Sequence, residues 1–228
     1  MATKSKRHRA NKALTDRHQP LSLEEALATI KKFKPAKFDE TVEIAMELGV
    51  DTKKSDQMVR GAVSLPRGIG REMRVIAFCK DEDIDRMKAA GAIEAGNDEL
   101  ANKIQKDGWL DFDVAIASPD MMRVVGKLGK VLGPQGKMPS PKSGTVTPDV
   151  EGAVKEFKAG KIEFRADAGG NVHAPVGKAS FAEDALKENI EAFVETIRGL
   201  KPTTSKGKYI QKVFVTTTMG AGVPVDIS

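Results

Sequence analysis

The chain has 228 residues, 30% of them charged and only 5% aromatic, with one Trp, one Tyr and one Cys. That length allows one large domain or two small ones around an aliphatic core. A disulfide framework is excluded, which fits a reducing cytoplasm, and no apolar run reaches the ~20 residues of a membrane-spanning helix.

The formal net charge is +5, and residues 1–20 alone carry six cations against one acid, so the rest of the chain balances to zero. Clustering, not total charge, is therefore the informative quantity. The segment Thr3–Pro20 has too few apolar residues to fold alone. It reads either as a solvated terminus or as an arm that neutralises phosphates. Ser22 then opens a helix, with Glu25 placed for a capping box and Leu23, Ala26, Leu27 and Ile30 along one face. Lys34-Pro35 stops it. Lys37–Leu48 reads as a strand by alternation: Phe38, Val42, Ile44 and Met46 face one way, and Lys37, Asp39, Thr41, Glu43 and Glu47 the other. Glu40 interrupts the apolar face, so this end is expected outside the core. Val59–Leu65 is a second strand, and Pro66–Gly70 marks a boundary. Gly68-x-Gly70 does not open a dinucleotide fingerprint, because Met73 stands at the third glycine position and a strand follows.

From Arg74 short apolar strands (Arg74–Cys79, Ala92–Ala95, Asp113–Ala117) alternate with helices (Asp81–Ala90, Asp98–Asp107). Asp120–Gly126 begins another helix, and Asp149–Phe157 gives one more. Such repetition implies a parallel sheet flanked by helices. Cys79 continues an apolar run and reads as a small buried hydrophobe. After Gly160 the texture changes back. Ile162–Ala166 and Val172–Val176 read as a hairpin around Gly169-Gly170-Asn171. Phe181–Leu200 reads as an amphipathic helix with Ala185, Leu186, Ile190, Phe193, Val194 and Ile197 inward. Tyr209–Thr217 and Val223–Ile227 are strands. Neither outer block completes a core by itself, but joined they do. The expected fold is mixed α/β and α+β: an α+β domain built from both termini (1–67 and 160–228), interrupted by an inserted α/β domain (68–159).

Within the insert, residues 68–120 hold seven cations against twelve acids. The following stretch, Met121–Thr147, holds five glycines, three prolines, five cations and no acid. Glycine's entropy cost and proline's missing donor oppose a continuous helix or central strand. What remains is a long shaped loop whose bare N–H groups and lysines meet something anionic. Val124, Val125, Leu128, Val131, Leu132 and Met138 argue against disorder. A nucleotide phosphate loop fails, because GxxxxGK[ST] anchored on Gly136-Lys137 needs glycine at Val131 and a hydroxyl at Met138. Catalytic and metal-binding groupings are also missing: His8, His18 and His173 lie apart, no GxSxG occurs, and Ser180 reads as a helix opener. The expectation is a non-enzymatic protein with no cofactor and no metal.

GKLGKVLGPQGKMPSPKSGTVT (Gly126–Thr147) closely resembles the most characteristic segment of the large-subunit ribosomal protein L-one family. AKFDETVEIAMELGVD (Ala36–Asp51), SDQMVRGAVSLPRGIG (Ser55–Gly70), GKIEFRADAGGNVHAPVGKASF (Gly160–Phe181) and VFVTTTMGAG (Val213–Gly222) fit in order and spacing. The resemblance thus covers nearly the whole chain, with bacterial-type spacing. It implies a Rossmann-like three-layer insert joined through two strand-like linkers, and a place in the mobile stalk beside the tRNA exit site. It also implies binding to large-subunit rRNA, help in releasing deacylated tRNA, and repression of translation from the protein's own operon mRNA. The implied protein is cytoplasmic and ribosomal, a monomer away from the ribosome, with no membrane partner.

Carried over position by position, the resemblance assigns the principal rRNA contact to Lys37, Phe38, Thr41, Thr217, Thr218, Met219 and Gly220. His173 and Lys178, in the HAPVGK block, join that surface. The residues alone leave Val215–Gly220 open between threonines chosen for β propensity and hydroxyls that suit RNA 2′-OH groups. The basic loop would face exit-site tRNA through Lys127, Lys130, Lys137 and Lys142, as phosphate contacts rather than base readers. Gln135 and Lys137 stand where many relatives carry other residues. The rival reading is a nucleotide-using α/β enzyme carried by the insert.

Overall fold

Alternation along one strand organises the outer part of the molecule. In the computed structural model, which describes residues 5–16 and 18–227, the chain opens with α1 (Lys6–Lys12) and α2 (Leu23–Lys31), then β1 (Thr41–Leu48) and β2 (Arg60–Ser64). A middle segment follows with β3 (Val75–Phe78), α3 (Ile84–Ala90), β4 (Glu94–Gly96), α4 (Asp98–Asp107), β5 (Val114–Ala117), α5 (Met122–Val125), α6 (Gly129–Leu132) and α7 (Val150–Ala159). The chain returns through β6 (Lys161–Arg165), β7 (Asn171–Lys178), α8 (Glu183–Gly199), β8 (Ile210–Thr217) and β9 (Val223–Val225). Two compact units result: residues 1–70 with 162–228, and residues 71–161.

In the first unit β1 is central. The sheet order is β7-β1-β8-β9, with β1 antiparallel to both neighbours. Val42, Ile44 and Met46 are fully buried, and α2 and α8 pack together over the sheet. α2 begins at the capping box formed by Ser22 and Glu25. α8 buries Leu186, Ile190, Phe193, Val194 and Ile197, each side chain contributing ~1.5–3 kcal/mol on leaving water. Asn189 lies on the same face, fully buried. Its side chain accepts from Arg67 N–H at 3.0 Å and donates to Gly68 O at 2.9 Å and Val176 O at 2.8 Å. Those bonds hold Pro66–Gly70 to the first unit, so the chain leaves it after Gly70 rather than after Arg67.

The second unit is a three-stranded parallel sheet in the order β4-β3-β5. α3 packs with α7, and α4 with α5. Arg71 and Arg74 converge on Asp113: Arg71 Nη2 lies 3.0 Å from Oδ1, and Arg74 N–H donates to Oδ2 at 3.0 Å. Burial pushes the Asp113 carboxyl up, but hydrogen bonds from Arg74 and the two guanidinium charges hold it below the ordinary aspartate value.

Four further expectations change within these units. Ile162–Ala166 and Val172–Val176 do not pair as a hairpin: β6 joins β2 and β7 joins β1. The turn chemistry is nevertheless there, since Asp167 Oδ1 accepts from Gly169 and Asn171 N–H, both at 2.8 Å. The basic stretch is not a loop throughout. Met122–Leu132 is a run of short α and 3-10 turns, with Gly126 and Gly129 in right-handed helical conformation. Val125, Leu128 and Leu132, spaced three and four apart, are fully buried in a cluster with Phe78, Ile104 and Phe112. Burial of that stripe outweighs the ~1 kcal/mol each glycine costs a helix. Ser180 does not open α8. Ala182 stands at that position, and the Ser180 hydroxyl donates to Asp39 Oδ2 at 2.7 Å instead. Finally, the basic terminal segment carries a helix, α1, although its cations Lys4 and Arg17 lie outside the described residues.

Candidate nucleic-acid interface

Three strand ends meet at one edge of the first unit: the start of β1, the end of β7 and the end of β8. Register brings Thr41 opposite Lys178, and Val42 opposite Thr217. Thr218 N–H donates to Thr41 O at 3.0 Å, Thr41 N–H donates to Thr218 Oγ1 at 2.9 Å, and Lys178 Nζ donates to Thr41 Oγ1 at 3.0 Å. Beside this lock stand two apolar side chains turned to solvent, Phe38 at 54% exposure and Met219 at 47%. Burial drives such groups inward, so two of them together at the edge of a packed sheet mark a surface suited to a partner. Exposed Lys37 adjoins Phe38, and a recess of about 340 Å³ runs beneath, lined by Phe33, Pro35, Phe38, Glu40 and Ser180 among others.

Sequence reasoning missed the residue that organises this edge. The interruption of the apolar face puts Glu40 at a core-free end, yet it is 5% exposed. Its carboxylate accepts from Ala36 N–H at 2.8 Å and Met219 N–H at 3.0 Å, and Arg7 lies 3.7 Å away. Burial raises its pKa, but the Thr217 hydroxyl, these two N–H groups and Arg7 outweigh that and leave it below the ordinary glutamate value. The available signal was an acid on the inward parity of a strand, where a buried charge requires partners. Gly220 completes the turn. A Cβ there would collide with Thr217 Oγ1 and come within 3.1 Å of the Phe33 ring.

The two N–H groups that the Glu40 carboxylate holds, from Ala36 and Met219, predict a specific behaviour for this residue. Glu40→Ala strands two N–H groups, at ~1–3 kcal/mol for each one left unpaired, whereas Glu40→Gln keeps an acceptor and should lose less. Because the folded carboxyl is depressed, its stabilisation is complete above the unfolded glutamate value and disappears as pH falls through the lower folded value. Urea unfolding between neutral and acid pH should show this component in the wild type and not in Glu40→Gln.

The predicted residues do not all gather. Lys37, Phe38, Thr41, Lys178, Thr218, Met219 and Gly220 share the edge. Thr217 is beside them but buried at 6% exposure, turned toward Glu40. His173 pairs with Ala45, four residues along β1 from Thr41, or about 13 Å at a strand's rise. Its Nε2 lies 4.0 Å from Asp167. In the second unit Lys130 and Lys142 are exposed, and exposed Lys127 lies 3.9 Å from Asp98. Lys137 is engaged within its own unit: Nζ donates to Leu110 O at 2.9 Å and sits 5.0 Å from the Phe112 ring centre.

The sheet edge thus gathers apolar side chains, hydroxyls and lysines in one place. Among the described residues no group of three or more His, Cys, Asp or Glu could hold a metal. The chain belongs to the Ribosomal protein L1p/L10e family, whose model matches residues 30–221. It is 54% identical over 226 residues to the "Large ribosomal subunit protein uL1" of Thermosipho africanus (strain TCF52B), covering 99% of this chain and 97% of that protein. The protein of the same name from Methylobacillus flagellatus is 54% identical over 228 residues, covering 100% and 99%. That of Fervidobacterium nodosum is 51% identical over 228 residues, covering 100% and 97%. Members of this family are structural ribosomal proteins, not enzymes.

Proposed function

We propose that this chain is a structural protein of the large ribosomal subunit that holds the stalk rRNA beside the tRNA exit site. The observation that carries the reading is the exposure of both Phe38 and Met219 on the two segments that the Thr41–Thr218 lock joins, with Lys37 and Lys178 at hand. A base can stack on the Phe38 ring for ~1–3 kcal/mol, RNA that covers Met219 removes apolar area from water, and threonine hydroxyls suit the 2′-OH groups of a shallow minor groove. The name shared by the relatives places them in the large subunit. The first unit is the rRNA-binding domain. The second faces exit-site tRNA with Lys127, Lys130 and Lys142, and assists release of the deacylated molecule. Lys137 contributes less, being engaged with Leu110 and Phe112.

The same edge accounts for repression of the protein's own operon, because an mRNA that reproduces the rRNA fold would occupy the same groups. The protein is a cytoplasmic monomer when off the ribosome and has no membrane partner.

Competition tests both roles. The stalk rRNA fragment and the operon leader RNA should displace each other from the purified protein, and the protein should co-sediment with large subunits. Nucleotide binding by the insert, with no displacement between the RNAs, would favour the enzymatic rival and overturn this reading.

A further inference from the structure

The basic terminal segment contains a feature that a solvated arm does not need. α1 has only seven residues, too short to persist alone in water, where helices below ~12–15 residues are marginal. Docking holds it. Asn11 is 2% exposed and grips the main chain of Lys34 with both ends of its amide: Lys34 N–H donates to Oδ1 at 2.9 Å, and Nδ2 donates to Lys34 O at 3.4 Å. One turn earlier on the same face, Arg7 reaches Glu40. Residues four apart share a helix face, so this inward pair leaves Lys6, Arg9 and Lys12 exposed.

From the tethering we infer that α1 is a docked cationic flank of the rRNA surface, positioned by Asn11 so that its charges meet particular phosphates of a folded RNA. The inference rests on the function proposed above and assigns a positioning role to Asn11. Lys34 lies three residues before Lys37, so the grip sets the exposed cations of α1 beside the segment that carries Lys37 and Phe38. Glu40 links the two, since the carboxylate that meets Arg7 also accepts from Met219 N–H. Residues 5–12 hold four cations and no acid, and nothing in that composition distinguishes a floating arm from a fixed one. The difference is energetic. Floating cations release counterions from any RNA alike. Fixed cations avoid the cost of ordering at binding, but only when the phosphates lie where the helix places them.

Asn11→Ala in the full chain separates these cases, because it removes the grip and keeps every charge. Probes are the stalk rRNA fragment and an unrelated RNA duplex of equal length, each titrated over a range of salt. Affinity for the stalk fragment should fall about 5- to 20-fold, the size of one lost buried polar pairing, with the duplex unchanged. Amide exchange over residues 6–12 should quicken, showing that α1 has been released. In Lys6→Gln/Arg9→Gln/Lys12→Gln the helix stays docked. There the salt dependence of stalk binding should flatten by about 2–3 in the slope of log K against log salt, close to one per phosphate contact. A quickened exchange with stalk affinity unchanged, or an equal loss on both RNAs, overturns the inference. A wild-type chain that does not prefer the stalk fragment to the duplex overturns the proposed function and this inference with it.

Discussion

Thr218→Ala and Met219→Ala together should weaken binding of the stalk rRNA fragment by about 10²- to 10³-fold, ~3–4 kcal/mol, while the fold survives. Each side chain contributes to recognition in a different way. Met219 is 47% exposed, and RNA that covers its thioether and methylenes removes apolar area from water at ~25 cal/mol per Å². The Thr218 hydroxyl accepts from Thr41 N–H at 2.9 Å and donates to Thr41 O at 3.3 Å, so its loss unfixes the edge that the RNA meets. Both side chains are exposed, so water can take up the Thr41 N–H that Thr218 releases, and two bonds remain: Thr218 N–H to Thr41 O, and Met219 N–H to the Glu40 carboxylate. Thermal unfolding should therefore move little. Affinity equal to wild type in a titration of the stalk fragment would remove these two residues from the interface. Thr217 serves as the contrast, because it is buried and helps hold Glu40. Substitution there should register in stability as well as in RNA affinity.

Local rules made much of this legible. Val42, Ile44 and Met46 alternate strictly, and β1 is the central strand they describe. Ser22 and Glu25 announce α2 three residues apart, and the short apolar runs Val75–Phe78 and Val114–Ala117 form parallel strands buried along their whole length. What escaped depended on partners far away in the chain. Glu40 meets Met219 across 179 positions, and no periodicity records that. Asn11 finds Lys34 in a segment without any apolar stripe, so the composition spoke of solvent while the fold supplied a grip. The glycines of Met122–Leu132 carried a true cost that tertiary burial of Leu128 and Leu132 overrode. Within Val213–Thr217 the inward parity of Val213 and Val215 extends to Thr217, which would have separated a buried threonine from its exposed neighbour. The assignment of the edge to RNA came from resemblance alone.

Excising residues 71–161 should leave a folded protein that binds the stalk fragment within about tenfold of the full chain, because every residue gathered at the edge belongs to the first unit. Closing the gap requires little new backbone. β2 and β6 are hydrogen-bonded neighbours. Ala166 N–H, just past the end of β6, donates at 2.8 Å to the carbonyl of Val59, just before β2. The two strands thus run in opposite directions, so the end of β2 at Ser64 lies beside the start of β6, and a linker of several residues leading back from Gly70 to Ile162 can join them. The core beneath survives: Leu186, Ile190, Phe193 and Ile197 remain against the sheet, and Asn189 keeps its bonds to Arg67 and Gly68. The removed unit has a core of its own around Ile76, Phe78, Ile104 and Phe112. It should fold separately and bind the stalk fragment weakly. What the excision removes is contact with exit-site tRNA, since Lys127, Lys130 and Lys142 leave with the insert. Comparing stalk-fragment affinity of the excised and full chains decides the matter. Two weak modules on one RNA gain ~10²–10⁴ from effective concentration, so a loss beyond about 100-fold would mean that both units grip the rRNA and that the edge at Thr41 and Met219 is only half of the site.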